Sequence, residues 1–413
     1  MVNAQAQITA RRTSLSPDPL AHLAPGNLTQ TYARLREAAP VHWSPSFGGW
    51  VLTRYADAVA VLTDPTYLAD DPVARFDRLE RRGGPALGDF RTLLSNTASF
   101  TNPPRHVTLR KFMSRLFQGS EVGALRGILE RRMADILNDA RRRDGFDVAV
   151  DFGRDLAIFT VSAFLGLPLE DCQVEAAIAR NVAGIFDLTP QSIKDLQTAN
   201  AKAGELLDYF EAEIGRGRAR GESDRFSRLV SRADRELEMG DRELAGLLIF
   251  IFIAGQESTA AAIPAAIVML LQRPDLRESL VADPAKIPAA ARDFLRLVAP
   301  FQYVVRIASR DGEIGGERVM AGERVTIMLA AANRDPEAFP RPDAIELDRL
   351  GLDSLAFGHG AYRCLGAGLA QMETEVALAA ILAHPDLGLA PGTVEWETRT
   401  RVPAMARARA EFA

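Results

Sequence analysis

The residues best equipped for chemistry lie in Phe357-Gly358-His359-Gly360-Ala361-Tyr362-Arg363-Cys364-Leu365-Gly366. A cysteine here stands between a glycine-punctuated loop and an apolar stretch, Leu365 to Leu382, that reads as a helix. Glycines at 358 and 360 permit positive φ, so the backbone can curl and aim amide N–H groups at one atom. The Cys364 sulfur is the natural target. A helix N-terminus beside it favours thiolate over thiol. Gly366, lacking a Cβ, leaves room for something flat and bulky at the helix start. A thiolate beneath a flat group is how a protein holds haem iron. A lone cysteine at such a junction would be read as a buried structural residue; the whole pattern favours the ligand.

Two other clusters carry chemistry. From Leu244 to Leu271 the chain is almost wholly apolar or small, except for Gln256-Glu257-Ser258-Thr259 and Pro264. A carboxylate buried there is costly unless paired or hydrated, and such groups often mark function. His106 and Arg110 lie four apart, so on a helix they share a face and can reach one anionic group. A solvent-facing basic helix is the plain alternative for that pair.

Together these segments resemble the cytochrome P450 haem-thiolate monooxygenases. Phe357, Gly358, Gly360, Cys364 and Gly366 match that family's haem-ligand signature, Phe-Gly-x-Gly-x-[His/Arg]-x-Cys-x-Gly. Tyr362 departs from it, standing where the family carries a cation for a haem propionate. It keeps a hydrogen-bond donor but not the charge. Ala254-Gly255-Gln256-Glu257-Ser258 resembles the oxygen-activation motif Ala-Gly-x-[Asp/Glu]-Thr. In that motif the small residues make room for dioxygen in a widened helical groove, and the acid and alcohol relay protons. Ser258 keeps the hydroxyl of the usual threonine without the β-methyl that stiffens χ1; Thr259 follows and could share the role.

The resemblance also implies that His106 and Arg110 bind a haem propionate, as does Arg306 in the extended run Ala299 to Arg306. His359 is expected to bond a propionate or the backbone. Asp293 and Arg296 stand for the family's buried Glu-x-x-Arg pair. The shorter acid predicts a longer or rearranged contact.

The elements that must position these groups are legible in outline. Val41 to Thr53 reads as a hairpin broken at Gly48-Gly49, with His42 a sheet residue rather than a ligand. Helices are expected over Tyr32 to Ala38, Tyr55 to Leu62, Asn102 to Phe117, Leu125 to Arg141, Leu156 to Leu165, and Ile193 to Ile214. Gly215 to Gly221 reads as a basic loop, and residues 66–100 as loops and short helices that shape the substrate pocket in the family. Asp241 is the expected N-cap of a helix from Arg242 to about Gln272, kinked at Pro264. Ala289 to Val298 is a further helix, followed by a hairpin at Glu313 to Val319 and a strand at Arg324 to Met328.

Composition agrees. The chain is 47% hydrophobic and 25% charged, enough apolar material for a large core. A net charge of −5 and no long basic run point away from nucleic acid. Cys172 and Cys364 are the only cysteines, which is no disulfide framework and suits a reducing cytoplasm. Residues 1–25 read as a polar leader without the apolar core of a signal peptide or membrane anchor. Residues 26–413 are treated as one domain.

The resemblance implies a mainly α fold with small β-sheets. Haem b is expected between the long central helix and the helix after the cysteine loop. It also implies a bacterial cytoplasmic enzyme inserting one oxygen atom from O2 into a small, largely apolar substrate. Electrons would come from a ferredoxin and its NAD(P)H-dependent reductase, since the chain has no flavin domain or iron–sulfur cysteines. A peroxide-driven peroxygenase is a rival, which the Glu257–Ser258 pair disfavours. A non-catalytic haem sensor is another, disfavoured by the apolar face at Phe250, Ile251 and Ala254.

Overall fold

Apolar residues at helical spacing dominate the chain, and the outcome is a mainly helical protein with small sheets. A computed structural model describes residues 15, 18, 20, 26–183, 192–349, 353–397 and 401–413. The expected leader, residues 1–25, lies almost entirely outside these. Residues 26–413, read from sequence as one domain, gather into two units that alternate along the chain. One comprises Met1–Asp70, Arg292–Cys364 and Glu397–Pro403; the other comprises Asp71–Ala291, Leu365–Trp396 and Ala404–Ala413.

The first unit is built on a five-stranded sheet in the order Val41–Ser44, Gly49–Leu52, Arg324–Ile327, Val304–Ala308, Tyr67–Ala69. The first two strands form the expected hairpin, turning at Gly48 with φ of +60°. Gly49–Leu52 then pairs in parallel with Arg324–Ile327, and the remaining pairings are antiparallel. Trp50, Leu52, Tyr55, Val61, Val325, Ile327 and Phe339 share its buried core. His42 is a sheet residue as expected: it is fully buried, and its Nδ1–H donates to the Ala39 carbonyl at 2.8 Å. Tyr67–Ala69, inside a stretch read as loops and short helices, is instead the edge strand. At three residues it is too short to show a period.

The Asp293–Arg296 pair lies in this unit, on the Ile287–Val298 helix. Both side chains are buried, and the contact is short rather than stretched: Nε and Nη2 of Arg296 donate to the two Asp293 oxygens at 2.6 and 3.1 Å. Arg296 also donates to the carbonyls of Asn333, Pro342 and Ala344 at 2.9, 2.7 and 2.9 Å. Asp293 further accepts from Arg349 Nε at 3.1 Å and from the Glu346 N–H at 2.8 Å. The shorter acid is compensated by bringing the 340s segment to it.

The second unit is organised around the helix Asp241–Leu271, which packs against Asp155–Leu165, Ile193–Arg220, Gly88–Ser95 and Ala367–Leu382. Length and composition alone would let this helix cross a membrane, but 67% of its apolar window is buried inside the protein, as befits a core helix. Its N-cap is Gly240, not Asp241. The Glu243 carboxylate accepts the Gly240 N–H at 3.1 Å, while Asp241 is already helical and pairs with Arg218 at 2.7 Å. The helix continues through Pro264.

The expected loop at Gly215 to Gly221 is also corrected, because the preceding helix runs on to Arg220. Its arginines find acids on the helix surface and beyond it. Arg216 bonds Glu213, Arg218 meets Asp234 at 2.8 Å, and Arg220 meets Asp224 at 2.6 Å. Gly217 is buried against Phe226 and Val230, so packing supplies what its poor helix propensity withholds.

Candidate active site

In the first unit, the cysteine loop folds through two short helical turns, Leu355–Phe357 and Gly360–Tyr362. Gly358 and Gly360 take φ of +67° and +68°, the conformation expected of them. Gly360 is doubly constrained, since a Cβ there would collide with the Leu62 carbonyl oxygen. The loop closes when the Cys364 N–H donates to the Phe357 carbonyl at 2.8 Å and the Arg363 N–H to Gly360 at 3.1 Å. These two amides therefore close the loop on its own carbonyls. Cys364 is exposed, whereas Cys172 is fully buried and its thiol is pushed up to about 11 by that burial. Only Cys364 has the access a ligand needs. The following helix begins at Ala367 with Gly366 as N-cap, two residues later than read from sequence.

Arg306 lies on the strand Val304–Ala308, opposite Ala69 in the antiparallel pairing. It is 7% exposed, and burial holds its basicity below the usual arginine value. Nη1 donates to the Val305 carbonyl at 2.8 Å, and the guanidinium lies over the Tyr362 ring, 4.6 Å from its centroid. Among the described residues no carboxylate stands within ion-pair distance of it. Burial raises the Tyr362 phenol above its ordinary value, opposed by Arg306 and by a hydrogen bond from the Ala69 N–H. His359 is half-buried in the same loop.

In the second unit, the helix Arg105–Leu116 carries His106 and Arg110 on successive turns. His106 is buried, and its Nδ1–H donates to the Ala98 carbonyl at 2.8 Å. Arg110 is half-buried.

The long helix is buried at most positions between Leu244 and Leu270, but one stripe opens at Phe250, Ala254, Gly255, Glu257, Ser258 and Ala260, with Ala254 the most exposed of these. Positions 250, 254, 257 and 258 recur at helical spacing, so the polar run contributes to this face. Phe250 meets Phe100 edge-on at 5.8 Å beside it. The Ser258 hydroxyl donates to the Ala254 carbonyl at 3.0 Å. Gly255 serves close packing: a Cβ would sit 3.0 Å from Val161 on the Asp155–Leu165 helix.

Thr259 parts company with Ser258. It is buried, and its hydroxyl points to Glu373 Oε2 at 3.4 Å. Glu373, on the Ala367–Leu382 helix, is a residue that sequence reasoning missed. It is 2% exposed, is hydrogen-bonded also by Thr160, and burial pushes its carboxyl up to about 8. An acid set among apolar residues of a helix was the available signal.

A sequence profile of the family Cytochrome P450 matches residues 287–408. Cytochrome P450-SU2 of Streptomyces griseolus is 32% identical over 394 residues, which cover 92% of this chain and 94% of that protein. The chain belongs to the cytochrome P450 family. Vitamin D(3) 25-hydroxylase of Pseudonocardia autotrophica is 33% identical over 376 residues, 88% of each chain. The crystal structure of P450BioI in complex with hexadec-9Z-enoic acid ligated Acyl Carrier Protein aligns with a TM-score of 0.85 at 27% identity, covering 94% of this chain and 98% of that one. This P450 is accordingly a haem b oxidoreductase, a monooxygenase that uses O2 with electrons from a redox partner protein.

Proposed function

We propose that this P450 inserts one oxygen atom into a small, largely apolar organic substrate, by hydroxylation or epoxidation, with Cys364 as the residue that would hold the iron of its haem. The observation that carries this reading is the exposed Cys364 at the end of a loop held by two positive-φ glycines. Among the described residues no group of three or more His, Cys, Asp and Glu could hold a bare metal ion. A single thiolate would suit an iron that arrives already bound in a haem.

The other residues fit the same group. Arg306 is a buried guanidinium with no carboxylate partner among the described residues, which suits a propionate. His106 and Arg110 are the propionate partners proposed from the second unit and His359 from the cysteine loop, where Phe357 and Gly366 would also hold the haem; Tyr362 contributes through Arg306, whose guanidinium lies over its ring. Ala254 offers only a methyl group on the open stripe of the long helix, so a flat group or O2 can approach there.

When bound, the haem would supply the redox chemistry that activates O2 for insertion into the substrate. Cys364 donates electron density as thiolate. Ser258, whose hydroxyl proton is given to the Ala254 carbonyl, keeps its oxygen lone pairs available to accept a proton or a water. Glu257, one residue away and half-buried, is the acid that passes protons to that position. Thr259 is assigned a different part: its hydroxyl is directed to Glu373, so it anchors the helix. Phe100 and Phe250 keep the substrate side apolar.

The chain's cysteines cannot assemble an iron–sulfur centre, so a ferredoxin with its NAD(P)H-dependent reductase, in the cytoplasm, is the proposed electron source. The relatives differ widely in substrate, so apolar character is the property carried over.

The reduced protein under carbon monoxide should show the thiolate-type haem spectrum, and Cys364→Ser should abolish it. A wild-type spectrum without that band would overturn the ligand assignment. Ser258→Ala should lower the yield of product per reduced nicotinamide, and unchanged coupling would remove Ser258 from the mechanism.

A further inference from the structure

Tyr362 stands where the family pattern calls for a cation, yet its surroundings are not those of a vacant position. Its phenol oxygen takes the N–H of Ala69, and Ala69 is the cross-strand partner of Arg306. Its ring lies under the Arg306 guanidinium at 4.6 Å. The cysteine loop, the edge strand and the strand bearing Arg306 therefore meet in one contact. Among the described residues, the other group that holds the Arg306 guanidinium is the carbonyl of its own neighbour, Val305, at 2.8 Å. A long buried side chain held by a single backbone acceptor would sample several rotamers. The face of an anchored aromatic ring removes that freedom while leaving the remaining N–H donors unspent.

We propose that Tyr362 is a positioning residue for Arg306. Its ring and its tethered phenol fix the guanidinium so that this one cation grips a haem carboxylate, without a second cation from the cysteine loop. An aromatic ring suits this place because it attracts a cation electrostatically, whereas a second positive charge at the same distance would repel it in a poorly solvated site. The proposal rests on the reading that Arg306 takes a propionate, and its test separates the two.

The test measures the rate at which purified holoprotein loses haem to an excess of an apoprotein acceptor, for Tyr362→Leu, Tyr362→Phe, Arg306→Ala and the Tyr362→Leu/Arg306→Ala double variant. Tyr362→Leu should lose haem roughly tenfold faster, within the range a desolvated cation–π contact supports. Tyr362→Phe keeps the ring and should stay within about twofold to threefold of wild type. In the Arg306→Ala background, Tyr362→Leu should add nothing, because two residues acting through one contact are not additive. Equal acceleration by Tyr362→Leu with and without Arg306 would overturn the proposal and leave Tyr362 as simple packing. If Arg306→Ala itself loses haem at the wild-type rate, the underlying assignment of Arg306 fails, whatever Tyr362 does. The Tyr362→Phe protein guards against misfolding, since it retains the ring and the loop.

Discussion

Arg296 and Arg306 belong to the same unit and are both buried, at 2% and 7% exposure, but the protein finishes them differently. Arg296 sends all of its guanidinium donors to acceptors within the chain: a carboxylate by two bonds and three backbone carbonyls. Among the described residues Arg306 has one carbonyl and one aromatic face. Burying a cation costs several kcal/mol unless it is paired and its donors are used. Arg296 meets that condition by itself. Arg306 does not among the described residues, which is why we propose it as the partner of a haem carboxylate.

The largest effect expected from breaking this contrast is at the closed site. Arg296→Ala leaves Asp293 buried with only Arg349 and the Glu346 N–H among its described partners, and takes a donor from the carbonyls of Asn333, Pro342 and Ala344. It should cost about 3–5 kcal/mol of stability, the range for removing one partner of a buried pair. Urea denaturation of the haem-free protein measures it, and a loss under about 1 kcal/mol would show that the network is dispensable.

Glu373 provides the next test, as a buried group closed by proton uptake rather than by a counter-ion. Its neighbours Thr160 and Thr259 are neutral, and burial lifts its carboxyl from the ordinary 4.5 to about 8. Below about 4.5 both folded and unfolded states hold the proton, so pH does not matter there. Between that value and about 8 the folded state keeps a proton that the unfolded state releases. Stability should therefore fall as pH rises through this window, by about 1.4 kcal/mol per unit from this group, and level off above it. Glu373→Gln should abolish that component, gaining on the parent as pH rises. Denaturation midpoints of both proteins between about pH 5 and 9 check the difference; parallel profiles would mean that Glu373 is not held neutral.

Arg306→Ala should do to stability nearly the reverse of Arg296→Ala. In the haem-free protein it removes a buried charge that lacks a carboxylate, so stability should change by less than about 1 kcal/mol or rise slightly. The same urea titration gives the answer. A loss comparable to that of Arg296→Ala would mean that Arg306 is a closed structural residue, and the contrast would collapse.

How far the sequence reveals all this depends on what kind of information each feature uses. The cysteine loop is legible because its residues are adjacent and their types are restrictive: Gly360 is required both by a positive φ and by the Leu62 carbonyl. The long helix is legible from its apolar length. The Tyr67–Ala69 strand is not, because three residues carry no period and its partner is far along the chain. The helical course of Gly215 to Arg220 is hidden because its stabilising acids include Asp234 and Asp241, outside any local window. For the same reason Tyr362 reads as a lost cation. Its value lies in Arg306 and Ala69, which only the folded sheet brings to it. Glu373 carries a local signal, an acid on an apolar helix, but its complete burial beside Thr160 and Thr259 comes only with the fold.

The smallest effect concerns adjacent hydroxyls on the long helix and repeats the contrast at the scale of one hydrogen bond. Thr259 is turned inward to Glu373 at 3.4 Å, a long contact to a neutral acid that also has Thr160. Thr259→Val preserves the shape and should cost about 1 kcal/mol or less. Because that hydroxyl is spent inside the core, product yield per reduced nicotinamide should not change. Ser258 sits on the open stripe, so Ser258→Ala should leave stability within about 0.5 kcal/mol and lower that yield. Reversed results, with uncoupling at Thr259 and none at Ser258, would place the proton-handling alcohol on the inward face and make Glu373 part of the delivery route rather than a clip.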